Sequence, residues 1–271
     1  GAYAFSGCES ITQFNSNNNE ELIIPSGVTK IGEFAFQNLS SITKIVVPDT
    51  VTEIGEGAFK GCAALEDITL PFIGKTANYN ESREAVFGYI FGRYSSNTSS
   101  RPTGTIYQGW GKYSDFYLIT ETSGDNRGYN SYCYADYYYI PTSIKKVTIT
   151  SDTTIPYGAF QNCDFIESIT IPTGTTSISA FAFKNCKSIT EMNFGSSLTT
   201  IGQYAFHGCI SLKRMNSSTD GVIILPTNLT VIPSHTFQGC VEITKVVVGN
   251  ITEIGAYAFS GCESITQFNS N

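Results

Sequence analysis

The chain has 271 residues, of which 41% are hydrophobic and only 14% are charged, and its formal net charge is −7. A sparsely charged, acidic surface argues against nucleic acid or anionic lipid as the main partner. No apolar run approaches the ~18 residues that a membrane span needs, so we expect no membrane span in this segment. The sequence starts at Gly1 with neither an initiator Met nor a signal peptide, and we expect it to be a fragment of a longer protein.

Similar segments begin at the first residue and recur along most of the chain. The segment IGEFAFQNLSSITKIVVP at 31–48 shares its skeleton with IGEGAFKGCAALEDITLP at 54–71, and five later segments repeat that skeleton. Their shared Ile or Leu, three places after a Cys, recurs mostly at steps of 22 or 23 residues, with two steps of 31 and one of 79. A period of this length lies within the range of leucine-rich repeats.

Each repeat has the pattern of one strand and one tight corner. A stretch such as ITKIVVP alternates apolar and polar residues and ends at Pro, which cannot donate to a β ladder. One turn cannot bury its own apolar side, whereas stacked turns bury it against one another with parallel strands ~4.8 Å apart. The Ala-Phe pair would fill the back of each turn, and Gly after Ile would permit a tight corner. We therefore predict a leucine-rich-repeat solenoid of parallel β strands with few helices.

Seven of the eight cysteines share one repeat position, and we interpret them as a column of thiols in the core. Leu39 takes the same place in the second turn, so the position is apolar. Stacked neighbours have parallel side-chain vectors, which do not suit a disulfide. The alternative is a metal site, but the column has no accompanying His and no CxxC pair, so we expect no metal and no cofactor. The column consists of Cys8, Cys62, Cys163, Cys186, Cys209, Cys240 and Cys262.

The recurring pattern A-F-x-x-C-x-x-I resembles the BspA-type leucine-rich repeats of bacterial and protist surface proteins. The resemblance covers nearly all of residues 1–71 and 141–271. It implies an extracellular or cell-surface location and a role in adhesion or in contact with host or matrix proteins. It implies no catalysis.

Residues 71–140 interrupt the repeat. We divide the chain into solenoid turns at 1–70, a tyrosine-rich insertion at 71–140, and turns that continue the same stack at 141–271. Within the insertion, ESREAVFGYIFG at 81–92 predicts a short amphipathic helix, and the later part predicts one or two hairpins. The insertion either covers one flank of the solenoid or forms a contact platform for another chain or a glycan. The candidate contact residues are Tyr107, Trp110, Tyr113, Tyr117, Tyr137, Tyr138 and Tyr139.

The sequence offers no arrangement of residues for catalysis, and we predict that the protein is not an enzyme. His207 and His235 fall at variable positions of the repeat, and we expect both to be solvated. The thiol column lies in the core and therefore not beside them. A phosphate-binding Gly loop, an HExxH motif and a calcium loop are all missing from the sequence. Six Asn-x-Ser/Thr sequons would be N-glycosylation sites if the source is eukaryotic and secretory: Asn38, Asn80, Asn97, Asn216, Asn228 and Asn250.

Residues 255–271 repeat residues 1–17 letter for letter, at an offset of 254. The turns drift much further from one another than these two segments do, and neither segment has the polar character of a solenoid cap. The identity predicts a 254-residue unit that is repeated in tandem, with copies stacked end to end and also packed side by side. The protein would then be a non-enzymatic element of an extracellular filament or surface stalk. The alternative is a cell-surface adhesin that binds a host or matrix protein or a glycan through the solenoid face or the tyrosine-rich insertion.

Overall fold

The computed structural model describes residues 1–16, 18, 20–77, 83–93, 105–110 and 136–270. These residues form a parallel β-solenoid with a single short helix, so the predicted fold is confirmed. Four residues named above lie outside the described residues: Tyr113, Tyr117, Asn80 and Asn97. So does Cys133, the one cysteine that is not in the thiol column. The sequence SGDNRG at 123–128, whose Gly, Asp and Asn residues predict the turn of a hairpin, lies outside them as well.

The long face of the solenoid, which we call the front, carries two five-stranded parallel sheets. Buried Leu22, Ile45 and Ile68 lie at paired positions of consecutive strands, so each turn packs its apolar side on the next. The strands of the first sheet are β1 (Glu21–Ile23), β3 (Lys44–Val46), β5 (Asp67–Leu70), β8 (Lys146–Ile149) and β10 (Ser168–Thr170). Those of the second are β12 (Glu191–Met192), β14 (Arg214–Met215), β15 (Val222–Ile224), β17 (Lys245–Val248) and β19 (Gln267–Ser270).

The opposite face, the back, is built from two-residue strands. Each ends on an Ile, which in the sequence is followed by Gly or Pro, or by Ser179 after β11 (Ser177–Ile178). We predicted that Gly follows this Ile because it permits a tight corner, but the structure shows a different requirement. A Cβ on Gly55 would collide with the backbone nitrogen of Glu33 in the preceding turn. The back strands are β2 (Lys30–Ile31) with β4 (Glu53–Ile54), β9 (Thr154–Ile155) with β11 (Ser177–Ile178) and β13 (Thr200–Ile201), and β16 (Val231–Ile232) with β18 (Glu253–Ile254).

A corner segment, which contains the Ala-Phe pair, joins each back strand to the following front strand. Its amides donate hydrogen bonds to carbonyls of the next corner along the chain. Phe160 N donates to Ala182 O over 2.7 Å, and Phe183 N donates to Ala205 O over 2.8 Å. The Phe rings stack in the same order, with centroids 5.7 Å apart for Phe160–Phe183. Every corner between the first and the last is therefore a donor toward the following turn and an acceptor from the preceding one.

Each corner also contains two residues in the left-handed region, and one of these positions is usually aromatic. Tyr204 has φ 58°, which is uncommon for a bulky residue. Its ring stacks on Phe181 at 4.9 Å and on His235 at 4.3 Å, with interplanar angles of 8° and 12°. Such stacking offsets the backbone cost, since aromatic pairs contribute roughly 0.5–1.5 kcal/mol beyond burial. We call this stacked row the aromatic column.

The two 31-residue turns place their extra residues in the front sheets. Met215 of β14 pairs in parallel with Ile223 of β15, only eight residues further along the chain. Phe14 forms an isolated parallel bridge with Leu22, at the same separation of eight. Each long turn thus adds one front rung with no matching back strand or corner.

The stack is continuous across the predicted insertion. Strand β5 pairs directly with β8, although 75 residues separate Leu70 from Lys146 along the chain. A 3₁₀ helix at Phe87–Phe91 replaces a corner segment, because Phe59 N donates to Ile90 O and Phe87 N donates to Ala159 O, both over 2.9 Å. The prediction of an amphipathic helix was wrong: all five residues of this helix are buried between two turns. The division of the chain at residues 70 and 140 stays a prediction.

Candidate functional site: the edges of the first and last turns

The predicted contact tyrosines fall into three groups. Tyr113 and Tyr117 lie outside the described residues. Tyr107, Trp110, Tyr137 and Tyr139 lie on an antiparallel pair, β6 (Thr105–Trp110) with β7 (Asp136–Pro141), in which Tyr107 is opposite Tyr139 and Trp110 opposite Asp136. Tyr138 is 1% exposed, and its hydroxyl donates to Arg83 O over 2.7 Å. Tyr138 therefore packs the insertion onto the solenoid and is not part of a contact surface.

Gln108 joins the inserted strand pair to the solenoid, and sequence reasoning missed it. Its Oε1 accepts from Gly88 N over 2.6 Å, and its Nε2 donates to Gly158 O and Ala159 O over 3.1 and 2.8 Å. The side chain is fully buried. The amide thus substitutes for a peptide group in the ladder between two corners. No local pattern signals this, since the partners lie 20 and 50 residues away.

An ion pair between Arg93 and Glu56 also joins the segment that follows the 3₁₀ helix to the solenoid. Arg93 Nε and Nη2 donate to the Glu56 carboxylate over 2.9 and 2.8 Å. Burial acts to raise the pKa of Glu56, but the hydrogen bonds and charge of Arg93 outweigh it and leave this pKa lowered. Together with Gln108 and Tyr138, the pair attaches residues 83–93 and 105–110 to the solenoid.

The thiol column lies in the core, with one exception. Six of its members are buried, whereas Cys8, in the first turn, is exposed because no described residue covers that side. Five of the six buried thiols donate to a Phe carbonyl of a preceding turn, as Cys209 Sγ does to Phe183 O over 3.1 Å, and Cys163 is the exception. Burial raises the pKa of Cys62 and Cys209 to about 12. The buried thiols are therefore structural and unreactive.

The histidines are partly buried, contrary to the expectation that they are solvated. The Nδ1 atoms of His207 and His235 are buried and have no hydrogen-bond partner among the residues that the structure describes. Burial, and secondarily the charge of Lys184, lower the pKa of His207. His235 belongs to the aromatic column, where it stacks between Tyr204 and Tyr257.

Cofactor sites and membrane helices can be assessed only within the described ranges. In that part of the chain, no three His, Cys, Asp or Glu side chains are grouped closely enough to hold a metal ion. The same residues include no helix with the length and apolarity to cross a membrane.

The sequons within the described residues differ in their availability. The side-chain amide of Asn216 is already hydrogen-bonded within the fold and is therefore not available. Its Oδ1 accepts from Phe194 N over 2.6 Å, and its Nδ2 donates to Ile224 O over 3.0 Å. Asn38, Asn228 and Asn250 are exposed, although Asn228 and Asn250 donate to carbonyls of preceding turns.

The outward positions of the front sheets carry charges of alternating sign. Cross-strand neighbours neutralise one another, so this face does not display a patch of one charge. The ion pairs between directly paired residues are Lys44–Glu21 at 3.2 Å, Lys146–Asp67 at 3.2 Å and Arg214–Glu191 at 2.7 Å.

The last turn has a set of unpaired donors, which we call the forward edge. The amides of Tyr257, Phe259 and Gly261 point past the last corner, and no described residue accepts from them. Apolar side chains accompany these amides: Tyr257 is 65% exposed, Ile254 is 49% exposed and Phe268 is 46% exposed. A row of open donors beside apolar groups is a template for pairing with another backbone.

The first turn has the matching acceptors, which we call the rear edge. The carbonyls of Ala2, Ala4 and Ser6 accept no hydrogen bond from any described residue. Their equivalents in the last turn, Ala256, Ala258 and Ser260, accept from His235, Phe237 and Gly239 over 3.0, 2.8 and 2.8 Å.

The duplicated segments adopt the same conformation in these two environments. Tyr3 and Tyr257 have φ 57° and 59°. The equivalent ring pairs Phe5–Phe14 and Phe259–Phe268 are both edge-on, at 5.2 and 5.6 Å. The amides of Tyr3, Phe5 and Gly7, equivalent to the open donors of the forward edge, donate to the next turn over 2.9, 2.7 and 3.0 Å. One sequence thus shows both halves of a single turn-on-turn junction.

Solved structures of other leucine-rich-repeat proteins resemble this fold at low sequence identity. A leucine-rich cell surface protein from Faecalibacterium prausnitzii is 19% identical, with 95% of this chain and 71% of that chain covered and a TM-score of 0.38. The leucine-rich repeat protein of T. pallidum is 17% identical, with 90% and 77% covered and a TM-score of 0.42. A leucine-rich repeat protein from Bacteroides ovatus is 19% identical, with 99% and 81% covered and a TM-score of 0.39.

No curated protein matches the chain. The sequence profile of the BspA type leucine-rich repeat region matches six copies, across residues 1–88 and 132–266. These ranges include the corners and strands that form the stack on both sides of the insertion. The chain therefore belongs to the BspA type leucine-rich repeat family.

Proposed function

We propose that this protein is a non-enzymatic element of the cell surface, and that its 254-residue unit repeats in tandem to form an extended stalk or filament. The single observation that carries this proposal is the duplicated turn. Residues 1–17 show how the turn meets its successor, and residues 255–271 show how it meets its predecessor. Joining these two halves gives an ordinary turn-on-turn contact, so a second unit follows without a new interface.

Family membership supports the surface location. The BspA type repeat is associated with the surface proteins of bacteria and protists. The buried, protonated thiols offer no nucleophile, which agrees with a structural function. Adhesion to a host or matrix protein or a glycan, through the solenoid face or the insertion, is the alternative use of the same scaffold.

A protein with two consecutive units tests the tandem proposal. It would contain residues 1–254 followed by residues 1–271, and small-angle X-ray scattering would measure its longest dimension. We expect one continuous rod, longer than the single chain by about 40 Å, which is eight turns at ~4.8 Å each. The control has a flexible Gly-Ser linker in place of the direct join, which leaves the two units mobile relative to each other.

The outcome separates the two functions. If the direct fusion scatters like the linker control, as two independent bodies, the tandem proposal fails and adhesion by a single unit remains. The filament reading also fails if native material contains only discrete, capped particles. A parent gene that encodes several such units in register would support it.

A further inference from the structure

We propose that two copies of this chain associate side by side and antiparallel, with the first front sheet of one copy against the first front sheet of the other. The two-fold axis of the pair runs along the strands, between β3 and β5. The partner of this sheet face is thus a second copy of the chain. The inference goes beyond the proposed function, because it uses the flank of the solenoid and not the junction between tandem units.

The first outward position of strands β1, β3, β5 and β8 carries what we call the charge row. Glu21, Lys44, Asp67 and Lys146 follow one another in direct cross-strand register. Their charges alternate in sign at intervals of ~4.8 Å. All four side chains reach solvent, with exposed fractions of 14%, 41%, 26% and 54%. Because the signs alternate and the number of charges is even, the row read backwards has the opposite sign at every position.

A two-fold axis along the strands reads the row backwards in exactly this sense. It reverses the order of the turns and keeps each row of side chains over the same row of the other copy. Lys44 of one copy then lies opposite Asp67 of the other, and Glu21 lies opposite Lys146. Both pairs occur twice, because the interface is isologous. Each charge gains an opposite charge across the interface in addition to its neighbour within the sheet.

The same charge row disfavours other arrangements of two copies. A shift by one strand would place Lys44 against Lys146, and Asp67 against Asp67 of the other copy. Parallel solenoid axes with the rows in register would place every charge against its equal. Like charges that meet in an interface are costly and exclude wrong partners and registers. The charge row therefore favours one register and one relative direction.

The row beyond the charge row supplies an uncharged contact in the same register. It consists of the β-branched residues Ile23, Val46, Thr69 and Thr148, which are half-buried and lie at paired positions of the same four strands. In the antiparallel pair, Ile23 meets Thr148 and Val46 meets Thr69. Methyl groups of both copies therefore pack together beside the ion pairs.

The row that precedes the charge row also fits this register. Glu20, Thr43, Glu66 and Lys145 lie on consecutive turns, since Thr43 N donates to Glu20 O, Glu66 N to Thr43 O and Lys145 N to Glu66 O. The antiparallel register places Glu20 opposite Lys145 and Thr43 opposite Glu66. This row thus adds a further pair of opposite charges, twice, and brings no like charges together.

The strands further from the axis bring no like charges together in the charge row. Ser168 of β10 lies opposite Gln13, the residue before the Phe14 bridge, and both are uncharged. In the tandem protein proposed above, the next position would place Glu191 opposite Lys245 of the preceding unit. Exposed ion pairs are weak singly, so one contact per unit would hold two rods together by repetition. Only this extension rests on the proposed function.

The experiment mixes the 271-residue chain with a copy labelled with nitrogen-15. A zero-length carbodiimide reagent joins lysines to adjacent carboxylates, and mass spectrometry identifies the links that connect a labelled copy to an unlabelled one. We expect such links between Lys44 and Asp67 and between Lys146 and Glu21. Raising the NaCl concentration from about 50 mM to about 500 mM should reduce them at least about fivefold, because salt screens exposed charges.

An inverted variant tests whether the charge row is the cause. It combines Glu21→Lys, Lys44→Glu, Asp67→Lys and Lys146→Glu, which reverses every charge and keeps the alternation. Circular dichroism checks its fold. The inverted variant should link to itself as well as the unmodified chain does. A mixture of the two should give at least about tenfold fewer mixed-label links than either chain alone, because like charges then meet across the interface.

The matched control exchanges an ion pair on the back face. Lys30 and Glu53 are directly paired, 2.9 Å apart, and Lys30→Glu with Glu53→Lys reverses their charges without touching the front sheet. This control should link to the unmodified chain as readily as the unmodified chain links to itself.

An unmodified chain that gives no mixed-label links in the charge row at its highest soluble concentration would overturn the inference, with or without a folded inverted variant. Links that form equally well between the unmodified and inverted chains, that join Lys44 to Glu21 of the other copy instead of Asp67, or that the back-face exchange abolishes would overturn it too. The two-unit fusion is measured separately. A rod-like fusion without lateral links would remove only this inference, and lateral links with a fusion that is not a rod would remove only the tandem proposal.

Discussion

The side-chain Nε2 of Gln108 donates a hydrogen bond to the backbone carbonyl of Ala159 over 2.8 Å, fully buried between two corners of the solenoid. The corner it completes is irregular, because the 3₁₀ helix at Phe87–Phe91 offers only some of the amides that a regular corner would. Through Gln108, the inserted strand β6 therefore supplies hydrogen-bonding groups that the 3₁₀ helix lacks at the point where the repeat is interrupted.

Replacement of this glutamine should destabilise the whole stack. Gln108→Met keeps the length of the side chain but leaves Gly88 N without its partner, whereas the carbonyls of Gly158 and Ala159 keep the hydrogen bonds from Gln161 N and Phe87 N. We expect the free energy of unfolding to fall by about 1–3 kcal/mol, the cost of one buried unsatisfied group. Urea unfolding measures the change. Gln203→Met, at an exposed position, is the control and should change stability by less than about 0.5 kcal/mol.

The corners predict a second effect, on backbone conformation. Gly208 has φ 72°, and a Cβ at this position would lie 2.5 Å from Asn185 Oδ1. Gly208→Ala should lower the free energy of unfolding by at least about 1–2 kcal/mol, the cost of the left-handed region for a residue with a Cβ. Gly27→Ala is the control, because a Cβ on Gly27 meets nothing within 4 Å. Equal unfolding midpoints for the two variants would contradict the assigned role of the corner.

The solenoid could be predicted from the sequence because its contacts repeat. A residue such as Ile68 meets its equivalents Ile45 and Val147 in the neighbouring turns, so one 22–23-residue pattern encodes many long-range contacts at once. The thiol position could be interpreted in the same way, because Leu39 occupies it in one turn.

Contacts that occur only once could not be predicted. Gln108 reaches partners that no periodicity links to it, and the FGYIF segment becomes a corner although it lacks the Ala-Phe pair. The extra positions in the front sheets could not be predicted, because Phe14 and Met215 lie within polar segments. Each pairs at one position only, with Leu22 and Ile223 respectively. Tyr138 was grouped with contact tyrosines by composition, whereas its burial depends on the neighbouring Gly88.

The ion pair between Glu56 and Arg93 predicts a pH dependence. The pKa of Glu56 is lowered in the folded protein, so the pair contributes stability above the unfolded pKa of about 4.3, and this contribution is lost as pH falls through the folded value. Glu56→Gln should therefore cost about 1 kcal/mol at pH 7, a modest value because both side chains are partly exposed. The difference from the unmodified protein should become smaller as the pH is lowered from 7 to 3.

Glu33→Gln is the matched control for this measurement, because Glu33 is exposed and occupies the same repeat position one turn earlier. Its unfolding free energy should follow that of the unmodified protein at both pH values. A Glu56→Gln deficit that persists undiminished at pH 3 would show that the carboxylate charge is not the source of the stability.

The thiols give the last prediction, because one position of the repeat occurs in both exposed and buried forms. At pH 8, iodoacetamide should alkylate the exposed Cys8 rapidly. Cys62 and Cys209 should react at least about a thousandfold more slowly, since burial raises their pKa from 9.0 to about 12 and the thiolate is the reacting form. Peptide mass mapping assigns each site, and denaturant provides the control in which all three react alike. Rapid native alkylation of Cys209 would contradict its burial between the corners. Raising the pH from 9 to 11 should also lower the free energy of unfolding, because the unfolded chain releases thiol protons that the folded core retains.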